Sequence, residues 1–236
     1  MRKRTYQALD PALVQYKPSA DAEDDTPPAH IHNLVGTTTL YCSSGSIKLD
    51  HIAALLPNTY YDKSRFAAIS LRIYNPSTTA LLFSSGKLVL TGATSWCQCL
   101  LASLHIARLL SSCCPGTRFA VLDTTVQNIV GNVVVPLPPD GFLDLAAMYS
   151  EMSTVTTWQR QMFPGLVMRC DGPVVLLLFF SGRVVVTGGK TERDIHQGWR
   201  NLWPIVKRYV RAGGESRANA PPPRKRRRAA ANAAPR

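Results

Sequence analysis

At 236 residues, 45% of them apolar, the chain is long enough to bury one sizeable core or two small fused ones without a disulfide or metal staple. Its formal net charge of +12 favours a polyanion or an anionic surface as partner, while the longest apolar run, residues 174–180, is far short of the roughly 20 residues of a membrane-spanning helix. The cysteines at 42, 97, 99, 113, 114 and 170 lack zinc-ribbon or zinc-knuckle spacing, and the histidines and carboxylates are scattered, so neither an enzyme nor a metal or other cofactor is expected.

Residues 1–29 mix Pro, Ala and an acidic cluster with no apolar period, which predicts a disordered N-terminal arm. Their charged start lacks the apolar stretch of a signal peptide, so an intracellular protein is expected. Residues 31–41, rich in Thr and Val, read as a strand, and 47–56 place apolar residues at helical spacing behind Ser46 as a cap. Three strands follow near 66–74, 78–83 and 87–91, the last two joined through Ser84-Ser85-Gly86, where glycine can supply a positive φ. A longer helix over 95–111 closes the unit.

The same order then repeats. Thr191-x-x-Asp194 predicts a capping box opening a second long helix, which Pro204 is expected to kink or divide. Residues 213–236 carry prolines and the adjacent basic residues 224–228, which predict a disordered basic tail and a nuclear-import signal or a non-specific DNA contact.

An internal duplication accounts for the recurrence. Asn33-Leu34-Val35-Gly36 returns as Asn128-Ile129-Val130-Gly131, Phe66 before AAISLRI as Phe163 before PGLVMRC, and LLFSSGKLVLTG as LLFFSGRVVVTG, at offsets of 95, 97 and 96 residues. The repeats are placed at 30–122 and 123–212, between the arm (1–29) and the tail (213–236).

Strand alternation sorts each repeat into two faces. One carries Asn33, Val35, Thr37, Leu81, Phe83, Lys87, Val89 and Thr91 in the first repeat, and Asn128, Val130, Leu177, Phe179, Arg183, Val185 and Thr187 in the second. The other, with Leu34, Ala80, Leu82, Leu88 and Leu90, is where the helices pack. No element remains to cover the first face, and an uncovered apolar face of that size implies a partner. Methyl-bearing side chains with one Asn per repeat, no carboxylates, and Lys or Arg at the strand edges suit the DNA minor groove. Over A·T pairs its floor offers only acceptors, whereas G·C adds an amino group that Val or Leu cannot accommodate.

Residues 31–210, and the wording FAAISLRIYNPSTTALLFSSGKLVLTG and VQNIVG in particular, resemble the conserved core of TATA-box-binding proteins. The resemblance implies an α+β saddle: two pseudo-symmetric repeats, a curved antiparallel sheet, helices on its convex face. It implies a nuclear transcription initiation factor whose concave face grips the minor groove of A·T-rich double-stranded promoter DNA, without a cofactor or a membrane. By carry-over, Asn33 and Asn128 are the central asparagines, Val35, Val130, Leu81, Leu177, Val89, Val185, Thr91 and Thr187 line the groove, and Phe66 with Phe83 and Phe163 with Phe179 are paired wedges that intercalate and bend the duplex. Arg65, Arg72, Lys87, Arg169 and Arg183 are its phosphate contacts.

The resemblance also implies transcription factors IIA and IIB as partners, while the sequence leaves open whether a homodimer covers the apolar face when DNA is absent. The chain departs from the family where those factors bind. WQRQMF places Gln159 and Gln161 where the family has glutamates, and the first long helix, SWCQCLLASLHIARLL, carries only Arg108 and His105 where the family's is strongly basic. A one-residue deletion near Asp171-Gly172-Pro173 leaves Phe179 or Phe180 as the fourth wedge, and counting back from Gly182 selects Phe179. The departures motivate an alternative, a related paralogue or competitor that binds DNA or partner proteins without ordinary factor recruitment.

Overall fold

Segments rich in Val, Thr and Leu alternate between buried and half-exposed side chains, as strands covered on one side do. In the computed structural model, which describes residues 25–213, the first repeat runs β1 (His30–Cys42), α1 (Leu49–Leu55), β2 (Thr59–Tyr60), β3 (Ala68–Tyr74), β4 (Ser77–Phe83), β5 (Lys87–Ala93) and α2 (Trp96–Cys113). The second runs β6 (Phe119–Val134), β7 (Phe142–Leu143), α3 (Leu145–Glu151), β8 (Thr156–Thr157), β9 (Leu166–Arg169), β10 (Val175–Leu178), β11 (Arg183–Gly189), α4 (Glu192–Lys207) and β12 (Val210–Arg211). The disordered arm expected over residues 1–24, and the basic tail over 214–236 with its run at 224–228, lie outside the described residues.

The repeats share one ten-stranded antiparallel sheet of order β2-β3-β4-β5-β1-β6-β11-β10-β9-β8, while β7 and β12 pair separately. The order is symmetric about the β1–β6 junction. There Leu34 faces Ile129, flanked by Asn33 opposite Val130 and Val35 opposite Asn128, so a pseudo-two-fold axis exchanges the repeats. The expected boundary at 122/123 therefore falls inside a continuous strand, and pairing of β1 with β6 fuses the two units.

The helices cover one face. Leu34, Leu82, Leu88 and Leu90 are buried with Ile106 and Leu110 of α2, and Ile129, Leu176, Val184 and Val186 with Ile195, Trp199 and Val206 of α4. Each such side chain contributes about 1.5–3 kcal/mol by leaving water, enough together to fix which face is inside. The glycine ending each repeated NLVG/NIVG motif sits under a long helix. A Cβ on Gly36 would collide with Cys99 Sγ of α2, and one on Gly131 would lie 2.8 Å from Ile195 Cγ2 of α4.

Several expectations are corrected. Residues 25–29, assigned to the disordered arm, are anchored to α4: the Trp199 indole donates to Pro27 O at 2.7 Å, Trp203 to Asp25 Oδ1 at 2.9 Å, Lys207 pairs with Asp25, and Ala29 is buried. Ser46 does not cap α1; its N-cap is Lys48, without a side-chain bond. Pro204 does not divide α4, which continues to Lys207. The proline lies in the last turn, where its missing N–H removes one bond while Trp203 and Val206 stay buried. The capping box forms as expected, with Thr191 Oγ1 accepting from Asp194 N at 3.1 Å and Asp194 Oδ2 from Thr191 N at 2.9 Å.

Candidate nucleic-acid interface

The sheet face opposite the helices stays open, and the repeat asparagines stand at its centre. Asn33 Oδ1 accepts from Gly92 N at 2.7 Å and from the Thr91 hydroxyl at 3.2 Å, and Asn128 Oδ1 accepts from Gly188 N at 2.8 Å and the Thr187 hydroxyl at 3.3 Å. A backbone N–H can only donate, so each amide must turn its oxygen to the sheet. Gly92 and Gly188 present those N–H groups from φ of 98° and 99°, a left-handed conformation that favours glycine. Each Nδ2 is left on the open face, Asn128's also 3.1 Å from Thr187 Oγ1. The centre thus offers donors in fixed positions.

Around them, Val35, Val130, Leu81, Leu177, Val89, Val185, Thr91 and Thr187 are half-exposed on the same face; the chain neighbours of the Val and Leu residues are buried, whereas Thr91 and Thr187 each stand between a buried residue and the exposed Gly92 or Gly188. Leu81 pairs with Val89 and Leu177 with Val185, so the methyl surface is continuous across each hairpin. The structure gathers all of these carried-over residues together.

The aromatic pairs form alike in both repeats. Phe66 and Phe83 meet edge to face with centroids 5.8 Å apart at 72°, and Phe163 and Phe179 at 5.7 Å and 72°. Phe66 and Phe163 remain 51% and 37% exposed although each is a large ring that burial would stabilise. Both precede their strands rather than lying in them: the segment expected to begin at 66 becomes β3 only at Ala68. Phe180 turns away and stacks on Phe142 at 4.8 Å and 13°, which leaves Phe179 as Phe163's partner.

Arg72 and Arg169 occupy equivalent exposed positions in β3 and β9, and Lys87 and Arg183 begin β5 and β11. Arg72 lines a small depression with Ser77, Thr78, Thr79, Thr91 and Gly92. Arg65 forms an exposed ion pair with Asp62 at 3.3 Å. Its counterpart in the second repeat is Met162, 84% exposed, so the cation pattern is not symmetric.

Sequence reasoning missed part of this face. A bulge in the β1–β6 ladder after Val35 shifts the alternation of β6, placing Asp123 opposite Thr39, where its Oδ1 accepts from Thr39 N at 3.0 Å. The face expected to lack carboxylates therefore carries one. Gln127, Asn132, Val167 and Val175 also belong to it. The repeat offset applied to Thr37 would have found Asn132, and strand parity Val167 and Val175, whereas nothing local signals the bulge.

The family model described as "Transcription factor TFIID (or TATA-binding protein, TBP)" matches residues 28–113 and 123–209, one match for each repeat. The chain belongs to the TATA-box-binding protein family. It is 38% identical over 183 residues to human TATA box-binding protein-like 2 (77% of this chain, 51% of the relative) and 39% over 184 to the Caenorhabditis elegans TATA-box-binding protein (78% and 52%). To the Saccharomyces cerevisiae TATA-box-binding protein it is 36% identical over 180 residues, 76% of this chain and 71% of that one.

A solved structure of Methanococcus jannaschii TBP superposes with a TM-score of 0.64 at 30% identity, covering 77% of this chain and 99% of that one. The chain spans about half the length of the human and nematode relatives. Its α+β fold of two repeats on a ten-stranded antiparallel sheet is that of the TATA-box-binding proteins, a family of transcription factors rather than enzymes.

Proposed function

We propose that the open face binds the minor groove of A·T-rich promoter DNA, that Phe66 with Phe83 and Phe163 with Phe179 wedge into base steps at the two ends of the site and bend the duplex, and that the protein acts in the nucleus as a transcription initiation factor. The observation that carries this reading is the pair of central amides whose oxygens are held by Gly92 and Gly188, leaving N–H groups on a methyl-rich face. Donors alone match the acceptor-only floor over A·T pairs, and the guanine amino group would meet another donor.

Unstacking costs a few kcal/mol per step, and burial of exposed rings and groove-lining methyls offsets it. Energy transfer between dyes at the two ends of a TATA duplex tests the reading, with a G·C-rich duplex as control. Shortening of the end-to-end distance on the TATA duplex alone supports it, and equal affinity for both duplexes removes it.

A second reading, a paralogue with altered recruitment of factors IIA and IIB, is favoured by two surfaces. Gln159, Gln161 and Met162 stand exposed before the third phenylalanine, and Trp96, Leu101 and Leu104 are exposed on α2. Mobility shifts with purified factors on a TATA duplex separate the readings. Weak factor IIB recruitment, strengthened by changing Gln159 and Gln161 to Glu, is the outcome of the second.

A further inference from the structure

Asn132 is a third asparagine on the open face, and it lacks the restraint that fixes the other two. It follows Asn128 and Val130 in the alternation of β6, between buried Gly131 and Val133, and pairs with Val185 in β11 and His30 in β1. Its pseudo-symmetric counterpart is Thr37, which pairs with Val89 in β5 and Thr125 in β6. The Thr37 hydroxyl already accepts from Gln127 Nε2 at 2.7 Å. The Asn132 side chain has no hydrogen-bond partner among the described residues.

We propose that Asn132 makes the base preferences of the two halves unequal, so that the base pair beneath it can be G·C as well as A·T, while the pair beneath Thr37 cannot. The inference rests on the minor-groove reading above. An unrestrained amide turns about its last torsion to present either its NH2 or its oxygen. The first serves the acceptors of adenine and thymine, and the second receives the guanine amino group that the fixed amides oppose. Thr37 ends in a shorter group with one lone pair taken by Gln127, and offers less reach and less acceptance. A free amide in one repeat alone would also give an otherwise pseudo-symmetric face a preferred direction on DNA.

The test scans a single G·C pair through every position of an A·T-rich duplex and measures the affinity of the full-length chain by fluorescence anisotropy. A mismatched pair in a specific site costs about tenfold or more. The expected result is one position, in one half only, where G·C costs no more than about threefold, and where Asn132→Thr restores the full penalty. Asn132→Asp, an acceptor at the same place, is expected to keep that tolerance relative to A·T at the same position while lowering affinity overall, which guards against reading misfolding of the Thr variant as support. Equal penalties in both halves, or a tolerant position indifferent to Asn132→Thr, overturn the inference and leave the minor-groove reading standing. Indifference to G·C at every position overturns both.

Discussion

Asn33 and Asn128 illustrate how much a single side-chain orientation decides. Replacing either with Asp keeps an oxygen for Gly92 or Gly188 N–H but removes the only donor, so folding should be nearly unaffected while binding is lost. The expected outcome is a drop of at least about tenfold in affinity for A·T-rich duplex per substitution, from one lost donor and an added anion facing the acceptors of the groove floor, with a melting temperature close to wild type. Gly131 makes the converse case. Its added Cβ would press on Ile195 Cγ2, so Gly131→Ala should destabilise by about 1–3 kcal/mol in denaturant titration, and Ile195→Ala, which removes that Cγ2, should cost less in the Gly131→Ala background than in the wild type.

At the scale of elements, the end of α4 carries a pH dependence. The Tyr209 hydroxyl donates to Glu151 Oε2 at 2.7 Å, tying the segment after α4 to the last residue of α3, and burial, then this bond, push its pKa up from 10.0 to about 12. A folded-state value above the unfolded one means that the contribution is complete below pH 10 and is lost as pH rises through 12. Denaturant midpoints measured across that window should fall in the wild type, and Tyr209→Phe should flatten the fall.

The hairpin elements make a separate prediction. Phe→Ala at 66, 83, 163 or 179 should reduce DNA bending more than it disturbs folding, because none of the four rings is buried in the core; energy transfer and thermal melts compare the two effects.

Most of these elements were legible in the sequence, because strand alternation and the duplicated motifs are local patterns. The Thr191–Asp194 cap and the Phe179 register followed from counting along the chain. What was not legible depends on remote partners: residues 25–29 are held by Trp199 and Trp203, far away in sequence, and Asp123 reaches the open face only because β1 and β6 slip past each other at the bulge after Val35. On the face itself, the asparagines were found from their repetition, but the orientation of their amides depends on Gly92 and Gly188, more than 50 residues on.

For the whole molecule, electrostatics decides how binding responds to salt. Arg72, Lys87, Arg169 and Arg183 are exposed in symmetry-related pairs, while Arg65 is unmatched because the second repeat has Met162 there. Each phosphate neutralised releases condensed counterions, with a contribution of about −0.9 to the slope of log affinity against log salt, so these five should give a slope on the order of −4 to −5 for a chain ending at residue 213. Arg65 also pairs with Asp62 at 3.3 Å, an exposed contact that DNA must compete with, so Arg65→Gln should flatten the slope less than Arg72→Gln, which should flatten it by about one. The basic run at 224–228 enters the same measurement. If the tail contacts phosphates, the full chain should be steeper than the shortened one, whereas a tail used only for nuclear import leaves the slopes equal and moves the fluorescence of a tagged, shortened chain out of the nucleus. Titrations of both chains on one A·T-rich duplex at several salt concentrations therefore read two quantities, the number of phosphates the folded face engages and the share the tail adds.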